Sequence, residues 1–137
     1  MPRKPPPGFG PLTHMSEFRK LCGPLFQRID ASGCAMGLFV GKKHGNLINQ
    51  VHGGMLAMLA DSALGFAIQT AGPHVRSMVT TSLSVDYMGN AAVGEWIEAR
   101  GEVHRVGKRM AFASCQIWRG SERIVRASGA FLILEAK

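Results

Sequence analysis

The run VHGGMLAMLADSALGFAIQTAG, residues 51–72, decides which architecture this sequence can adopt. Wound as a helix, the run is apolar on nearly every side, and Gly72 followed by Pro73 is a stop signal. A helix that is apolar around its circumference belongs in the interior of a protein. The charge of Asp61 in its middle does not fit a membrane span. We therefore predict a long buried helix, from about residue 53 to residue 71, in a soluble protein without a membrane partner.

The residues that follow this helix predict an antiparallel sheet. Apolar and polar residues alternate from Val79 to Tyr87, which is the two-residue period of a strand. Four other runs have the length of a strand, at 35–40, 95–106, 110–118 and 124–134. Short glycine-containing joints connect the later runs, as in a meander. This order predicts an α+β fold in which one antiparallel sheet wraps around one long central helix.

The N-terminal part of the chain is less regular. Residues 1–11 hold five of the seven prolines and should form an extended, poorly ordered leader. Residues 13–29 carry apolar residues at three- and four-residue steps, which predicts a short amphipathic helix and a turn. The length of 137 residues fits a single domain, which we place at residues 12–137.

Composition narrows the classes of function. The net charge of +7 favours a polyanionic partner, either nucleic acid or a nucleotide-bearing molecule such as coenzyme A, although a merely basic solvated surface is an equal alternative. The sequence contains no recognised nucleic-acid-binding module, so we expect no nucleic-acid partner. The three cysteines are far apart and lack zinc-binding spacing, which predicts reduced thiols, no metal site and a cytoplasmic protein.

Asp61 is the first candidate functional residue. It is the only acidic residue between Asp30 and Asp86, and it lies midway along an apolar helix. An ionised carboxylate is costly there unless it is paired or hydrogen-bonded, so its presence indicates a functional use. Alternatively, Asp61 belongs to a narrow polar strip with Ser62 and Gln69 and simply touches water.

The start of the helix is the second candidate. Gly53 and Gly54 fall in its first turn, where backbone N–H groups lack intrahelical acceptors and lie at the positive end of the helix dipole. With no side chains to block them, these amides could stabilise a developing oxyanion. The two glycines could equally serve only the close packing of helix and sheet, and His52 could simply cap the helix.

The spacing of these residues predicts a dimer. Gly53 and Asp61 are eight residues apart, which is about 12 Å along a helix axis. A catalytic base must lie within about 3 Å of its target, so one chain can hardly apply both groups to one carbonyl. Two antiparallel copies of the helix would bring Gly53 of one chain beside Asp61 of the other. We therefore expect a homodimer with two shared active sites.

The segment from Asn46 to Asp61, NLINQVHGGMLAMLAD, resembles the signature N-x5-HGG-x6-D/E of hot-dog-fold thioesterases of the PaaI-like, phenylacetyl-CoA thioesterase type. The resemblance continues through the strand at 80–88, the turn at Gly94-Glu95 and the hairpin at 105–109. It covers roughly residues 35–135 and implies the hot-dog fold, in which the sheet wraps around the long helix.

The resemblance implies a role for each residue of the signature. Asp61 corresponds to the carboxylate that acts as general base on water or as nucleophile on the thioester, and the Gly53 amide corresponds to the oxyanion donor. Asn46 matches the amide that holds the thioester carbonyl or the lytic water, unless it is a plain turn residue. His52 matches a histidine that supports the loop and contacts the substrate carbonyl, and Gly54 would adjoin the bound substrate.

Residues outside the signature also match. Thr80 aligns with a hydroxyl that orients the water or the carboxylate, and Thr81 is the adjacent alternative. Strict alternation along this strand places Thr80 on the opposite face from Val79 and Leu83, which agrees with a role facing the site. Three cations of the later hairpin are candidates to bind the phosphates of coenzyme A, or are simply solvated: Arg105, Lys108 and Arg109.

The function implied is that of an acyl-CoA thioesterase acting on an aryl or medium-chain acyl-CoA, in a homodimer that pairs into a dimer of dimers. No metal or redox cofactor is expected, because coenzyme A is part of the substrate. A hot-dog hydratase or dehydratase acting on acyl thioesters and a non-catalytic acyl-CoA-binding protein are the alternatives. The apolar residues that could line an acyl pocket could equally be core: Phe26, Phe39, Phe66, Met55, Met58, Met88 and Trp96.

Overall fold

A computed structural model describes residues 3–134 of the chain. One seven-stranded antiparallel sheet has the order β1-β2-β3-β5-β6-β7-β4. Its strands are β1 (Gly10–Pro11), β2 (Phe26–Asp30), β3 (Gly33–Phe39), β4 (Ser77–Tyr87), β5 (Trp96–Val106), β6 (Met110–Arg119) and β7 (Glu122–Leu134). The helices are α1 (Glu17–Cys22) and α2 (Gly53–Ala71), with a short 3-10 helix at Lys42–His44.

The helix α2 forms the centre of the fold, as the sequence predicted. It contacts β3, β4, β5, β6 and β7, so that the sheet wraps around it. By length and hydropathy α2 could cross a membrane, but more than half of its most apolar window is buried inside this protein. Each large apolar side chain removed from water contributes about 1.5–3 kcal/mol. Its buried apolar side chains are Met55, Leu56, Leu59, Ala60, Ala63, Leu64, Ala67 and Ile68.

The prediction for residues 13–29 is wrong in its second half. The helix α1 starts after Ser16, whose hydroxyl accepts a hydrogen bond from the Arg19 N–H, and ends before Gly23. Residues 26–30 instead form β2, which makes a hairpin with β3. Gly33 allows the tight turn of this hairpin, since its φ of 116° lies in the region that favours glycine. Pairing with β3 outweighs the weak helical period of a five-residue segment.

The leader also differs from the prediction, which expected it to be poorly ordered. In the described part of the leader, Gly10 and Pro11 pair with β2, and the Phe9 ring packs edge-on against Trp96 with 5.0 Å between ring centroids. The Arg28 guanidinium lies over the Phe9 ring, 5.1 Å from its centroid. Strand pairing, the contacts of Phe9 and the Arg3 guanidinium, which lies over the Phe39 ring, therefore tie residues 3–11 to the sheet.

The strand β4 forms one edge of the sheet and contains a β-bulge. Its pairing with β7 shifts between Thr80 and Ser82, so Thr81 is an extra residue in the strand. Leu83 and Val85 pack against the core after the bulge, whereas before it Thr80 points to α2 and bonds Asp61. Thr80 and Leu83 therefore share the face towards α2, and the prediction of opposite faces is wrong because the bulge interrupts the alternation.

The three cysteines are free thiols, as their spacing predicted. Cys22 and Cys34 are half-buried, and Cys115 is buried among apolar neighbours on β6. Burial raises the pKa of the Cys115 thiol to about 12, which keeps it protonated and unreactive at neutral pH.

Candidate active site

Asp61 lies half-buried in the middle of α2 and faces β4. The Thr80 hydroxyl donates a hydrogen bond to Asp61 Oδ1 over 2.7 Å. Among the described residues, no donor lies within hydrogen-bond distance of Asp61 Oδ2. One oxygen of the carboxylate is thus held in place, and the other is available to a water molecule or a substrate.

The structure distinguishes between the two neighbouring threonines. Thr81 donates its hydroxyl to the backbone carbonyl of Ala130 over 3.0 Å, on the β7 side of the bulge. Thr80 alone of the pair reaches Asp61. The bulge therefore assigns one hydroxyl to the sheet and the other to the carboxylate.

Asp61 and Thr80 open into a cleft of about 490 Å³ between α1, α2 and β4. One side of the cleft is apolar, with Phe18 and Met58 near the carboxylate and Met78 and Phe131 on the sheet. The remaining lining residues are small or polar: Ser16, Arg19, Ser62, Gly65, Gln69, Arg76 and Ser77. The alternative of a simple polar strip holds only in part, since Ser62 is buried and Gln69 is exposed along the same cleft.

The start of α2 is organised by His52, which is the N-cap residue. Its Nδ1 atom accepts the Gly54 N–H over 2.8 Å. A neutral imidazole that accepts at Nδ1 carries its proton on Nε2, so the outer edge of the ring is a donor. The Gly54 amide is therefore used within the protein, whereas no described residue accepts the Gly53 N–H. Of the two glycines, Gly53 has the amide that is free to bind a ligand.

Tyr87, at the end of β4, was not among the predicted site residues. Its hydroxyl donates to the Gly53 carbonyl over 2.9 Å, and a Cβ atom built on Gly53 would lie 3.5 Å from the Tyr87 ring. The only sequence signal for Tyr87 was its place in an alternating strand, which indicates packing and says nothing of a hydrogen bond. Tyr87 fixes the first peptide of α2 against the edge strand.

His44 is a second residue that sequence reasoning missed. It is buried, its Nδ1 accepts the Gly41 N–H over 2.8 Å, its Nε2 contacts the Cys22 carbonyl, and its own carbonyl accepts the His52 N–H over 2.8 Å. Burial lowers the pKa of the His44 imidazole below its ordinary value, the Cys22 carbonyl opposes this shift, and the charge of Lys43 adds to it. A neutral His44 thus connects α1 to the loop that enters α2.

Asn46 shapes the loop before α2. Its Oδ1 atom accepts the N–H groups of Ile48 and Gln50, over 3.0 and 3.1 Å, so the side chain builds a turn. Asn46 is exposed and lines a shallow cleft together with His52. The turn function that the sequence left open is present, and the amide nitrogen stays on the surface next to His52.

The predicted site residues fall into two groups within one chain. Asp61 and Thr80 share the first cleft, while His52 and Gly54 line a second one. Gly53 and Asp61 belong to the same continuous helix, so the eight residues between them still span about 12 Å. One chain therefore does not bring the free Gly53 amide to the Asp61 carboxylate.

The predicted cations lie at the opposite end of the molecule from the start of α2. Arg105, Lys108 and Arg109 are exposed on the hairpin between β5 and β6. Val106 approaches the end of α2, where a Cβ atom on Gly72 would lie 2.9 Å from Val106 Cγ1. No carboxylate of the described residues forms an ion pair with the three cations.

The candidate acyl-pocket residues separate between the two faces of the sheet. Phe26 and Phe39 pack around Trp96, with ring centroids 5.9 and 4.9 Å away, in the same outer cluster as Phe9. Met58, by contrast, lines both clefts of the inner face. The aromatic cluster is therefore structural, and the inner methionine remains a candidate to contact an acyl group.

Comparison with known proteins adds family information to this geometry. A family model described as the thioesterase superfamily matches residues 49–125. A Pseudomonas aeruginosa protein named "Putative esterase PA0474" is 40% identical over 127 residues, which is 92% of this chain and 95% of that protein. Mouse acyl-coenzyme A thioesterase 13 is 31% identical over 78 residues, 57% of this chain and 55% of that protein.

A solved structure also matches. A mutant form of the phenylacetic acid degradation protein PaaI from Thermus thermophilus superposes with a TM-score of 0.75 at 25% identity. The match covers 87% of this chain and 100% of that protein. The antiparallel sheet around one long helix in this chain matches the hot-dog fold, which confirms the predicted architecture.

Proposed function

Because the chain belongs to the thioesterase superfamily, we propose that it hydrolyses the thioester of an acyl-CoA, with an aryl or medium-chain acyl group, in the cytoplasm. The family supports thioester hydrolysis, and the name of the mouse relative supports coenzyme A as the thiol. We propose that no metal or redox cofactor takes part. Coenzyme A enters as part of the substrate and leaves as the free thiol.

The hydrogen bond from Thr80 to Asp61 is the observation that carries this proposal. It fixes one carboxylate oxygen of a residue that lines the cleft and leaves Oδ2 without a partner among the described residues. As a general base, Asp61 removes a proton from water while the water oxygen bonds to the acyl carbon. As a nucleophile, Oδ2 bonds to that carbon itself, and water then cleaves the resulting anhydride. In both routes the C–S bond breaks, and the thiolate takes up a proton.

The negative charge that develops on the acyl oxygen requires a donor. The Gly53 N–H is unpaired among the described residues and lies at the positive end of α2. The His52 Nε2–H, exposed beside it, is a second donor. Asn46, next to His52, would hold the lytic water or the carbonyl. Removing one such donor typically lowers kcat by about 10²–10³-fold.

We propose that a second copy of the chain completes the site. The edge strand β4 anchors both halves of the machinery, since Thr80 holds Asp61 and Tyr87 holds Gly53. An antiparallel pair of β4 strands with a two-fold axis between Leu83 and Ser84 would set Thr80 of one chain level with Tyr87 of its partner. Asp61 would then meet Gly53 of the partner subunit. Two such dimers would form the dimer of dimers.

The cations of the β5–β6 hairpin are proposed to bind the phosphates of coenzyme A. The double variant Lys108→Glu, Arg109→Glu should raise KM for an acyl-CoA and leave KM for an N-acetylcysteamine thioester, which has no phosphates, unchanged. Equal effects on the two substrates would reject this assignment.

The direct test of function is a thiol-release screen across acyl-CoAs of different chain length and aromaticity, with Asp61→Ala as the blank. Release above the blank is expected for at least one acyl-CoA. Binding without release would instead indicate an acyl-CoA-binding protein, and loss of enoyl absorbance without release would indicate a hydratase.

Subunit mixing tests the shared site. Asp61→Ala and Gly53→Val are each expected to be inactive as homodimers. After exchange of subunits, a mixed dimer carries one site with both wild-type groups, so about a quarter of wild-type activity should return. Failure of any activity to return, with exchange verified by mass spectrometry, would exclude the shared site.

A further inference from the structure

The Asp61 cleft continues along α2 beyond the carboxylate, and the residues at its far end are polar and positively charged. Asp61, Gly65 and Gln69 follow one another at four-residue steps, so they form a stripe along one side of the helix. From Asp61 to Gln69 the stripe is about 12 Å long. Gly65 contributes no side chain, and a Cβ atom there would lie 3.4 Å from Met78 Cε. Gly65 is buried against Met78 and adds no side chain to the cleft between the two polar ends of the stripe.

Two guanidinium groups and an amide surround the far end of this groove. Arg19 from α1 and Arg76 from the segment before β4 line it together with Gln69. The Gln69 side-chain amide donates to the Arg76 carbonyl over 3.4 Å, and Arg19 donates to the His14 carbonyl over 2.8 Å. Asp61, at the other end, is the only acidic residue in the lining. The groove therefore has a carboxylate at one end and two positive charges at the other.

The sheet places these positive charges at the same end of the molecule as the predicted cations. Ser77, next to Arg76, pairs with Leu134 of β7, and the neighbouring Ile133 N–H donates to the Arg109 carbonyl over 2.7 Å. Adjacent strands are about 4.8 Å apart, so two strand steps of about 10 Å separate the backbones near Arg76 and Arg109. The backbones of Arg76 and Arg109 therefore lie at the same end of the sheet.

We propose that Arg76, supported by Gln69 and Arg19, is an anion-binding residue that recognises an oxyanion carried by the substrate about 12 Å from the scissile carbonyl. The proposal rests on the proposed function, because it takes the thioester to lie at Asp61. Two parts of an acyl-CoA can supply such an oxyanion. One is the phosphates of coenzyme A, and the other is a terminal carboxylate on the acyl group. A guanidinium binds both by paired charge-assisted hydrogen bonds.

The test measures binding in an Asp61→Asn background, so that turnover does not interfere. Arg76→Gln is added to this background, and Arg123→Gln, the same charge change on an exposed arginine outside the cleft, is the matched control. Each protein is titrated calorimetrically with decanoyl-CoA, sebacoyl-CoA, whose ten-carbon acyl group is long enough to carry its terminal carboxylate to the far end of the groove, and decanoyl-N-acetylcysteamine. The three ligands differ in the terminal carboxylate and in the phosphates.

Either source of the oxyanion gives a distinct result. If Arg76 binds the phosphates, Arg76→Gln weakens both CoA esters by about tenfold and leaves the N-acetylcysteamine ester unchanged. If it binds a terminal carboxylate, only sebacoyl-CoA is weakened. Equal affinities for the Arg76→Gln and Arg123→Gln proteins with all three ligands would overturn the proposal. An inactive wild-type protein would instead reject the proposed function and leave these affinities interpretable.

Discussion

The start and the middle of α2 hold their functional groups in different ways. At the start, His52 accepts the Gly54 amide, His44 accepts the His52 amide and Tyr87 donates to Gly53, so most polar groups serve one another. In the middle, Asp61 has a single partner, Thr80. The start of α2 contributes a backbone amide whose position matters, and the middle contributes one carboxylate side chain. Substitutions should therefore act through geometry at the start and through chemistry in the middle.

The largest expected effect is at the middle. Asp61→Asn keeps the shape of the side chain and removes its charge, so neither a base nor a carboxylate nucleophile remains. We expect kcat for thiol release to fall by roughly 10²–10⁴-fold with little change in KM. Circular dichroism should show an unchanged fold. If the variant kept more than about a tenth of wild-type kcat, the loss would lie well below that range. The Asp61 carboxylate would then be neither the base nor the nucleophile.

The next effect separates the two glycines at the start of α2. An added Cβ at Gly53 meets the Tyr87 ring at an ordinary 3.5 Å, whereas at Gly54 it lies only 3.0 Å from His52 Nδ1. Gly53→Ala should therefore keep its Tm and lose about ten- to a hundredfold in kcat, because a methyl group narrows access to the free amide. Gly54→Ala should lower stability by about 1 kcal/mol, the value of an N-cap. The reverse pattern would contradict the assignment of the free amide.

Thr80→Val tests the single partner of Asp61. Loss of the hydroxyl removes one hydrogen bond to a charged group, so kcat should fall by about tenfold. Thr81→Val is the matched control, since the Thr81 hydroxyl bonds the Ala130 carbonyl and not Asp61. Its kcat should stay within about twofold of wild type on the same reasoning. If both variants lose activity equally, the effect arises from the bulge and not from the hydroxyl at Asp61.

Tyr87→Phe should have a smaller effect at the start of the helix. The Tyr87 hydroxyl holds the Gly53 carbonyl from the edge strand, and the ring remains in place without it. We expect kcat to fall by about threefold with KM unchanged, as for a positioning residue whose neutral hydrogen bond is worth about 1 kcal/mol or less. A change in KM alone would indicate that Tyr87 contacts the substrate directly.

The smallest expected effect is the response of the helix start to acid. His44 is held neutral, with a folded pKa below its ordinary value of 6.5. As the pH falls below about 6.5, the unfolded chain binds a proton that the folded chain disfavours, so stability is present above this pH and is lost below it. His44→Asn, which can still donate and accept, should show a smaller loss of Tm between about pH 7 and about pH 5.5. Identical curves would show that another group controls the acid response.

Much of the fold was predictable because its strongest signals are long. The apolar run of α2 and the strand-length runs that follow it extend over nine or more residues, and their predicted bounds agree with the structure to within about two residues. The strand β2 was missed because five residues are too few to show a period. The position of the leader depends on contacts between distant parts of the chain, such as that of Phe9 with Trp96, which no local pattern encodes.

The site was predictable where a residue was unusual for its place and unpredictable where it was ordinary. Asp61 is conspicuous in an apolar helix, and Gly53 is conspicuous at a helix start. Tyr87 ends a strand that would carry an aromatic residue in any case, and His44 lies in a polar loop, so their hydrogen bonds follow only from the assembled structure. The resemblance to the family indicated Asn46 and His52, and the structure added that both are also structural hydrogen-bond acceptors.

The extra residue Thr81 makes β4 sensitive to changes in its length. Thr81 interrupts the two-residue alternation of β4. The residues before it and the residues after it therefore each keep their own alternation of side chains that face α2. Deleting this one residue would restore regular alternation and would turn either Thr80 away from Asp61 or Leu83 and Val85 away from the core. We therefore expect the protein to tolerate a one-residue insertion or deletion here less well than most substitutions, because the length of the strand sets which side chains face α2.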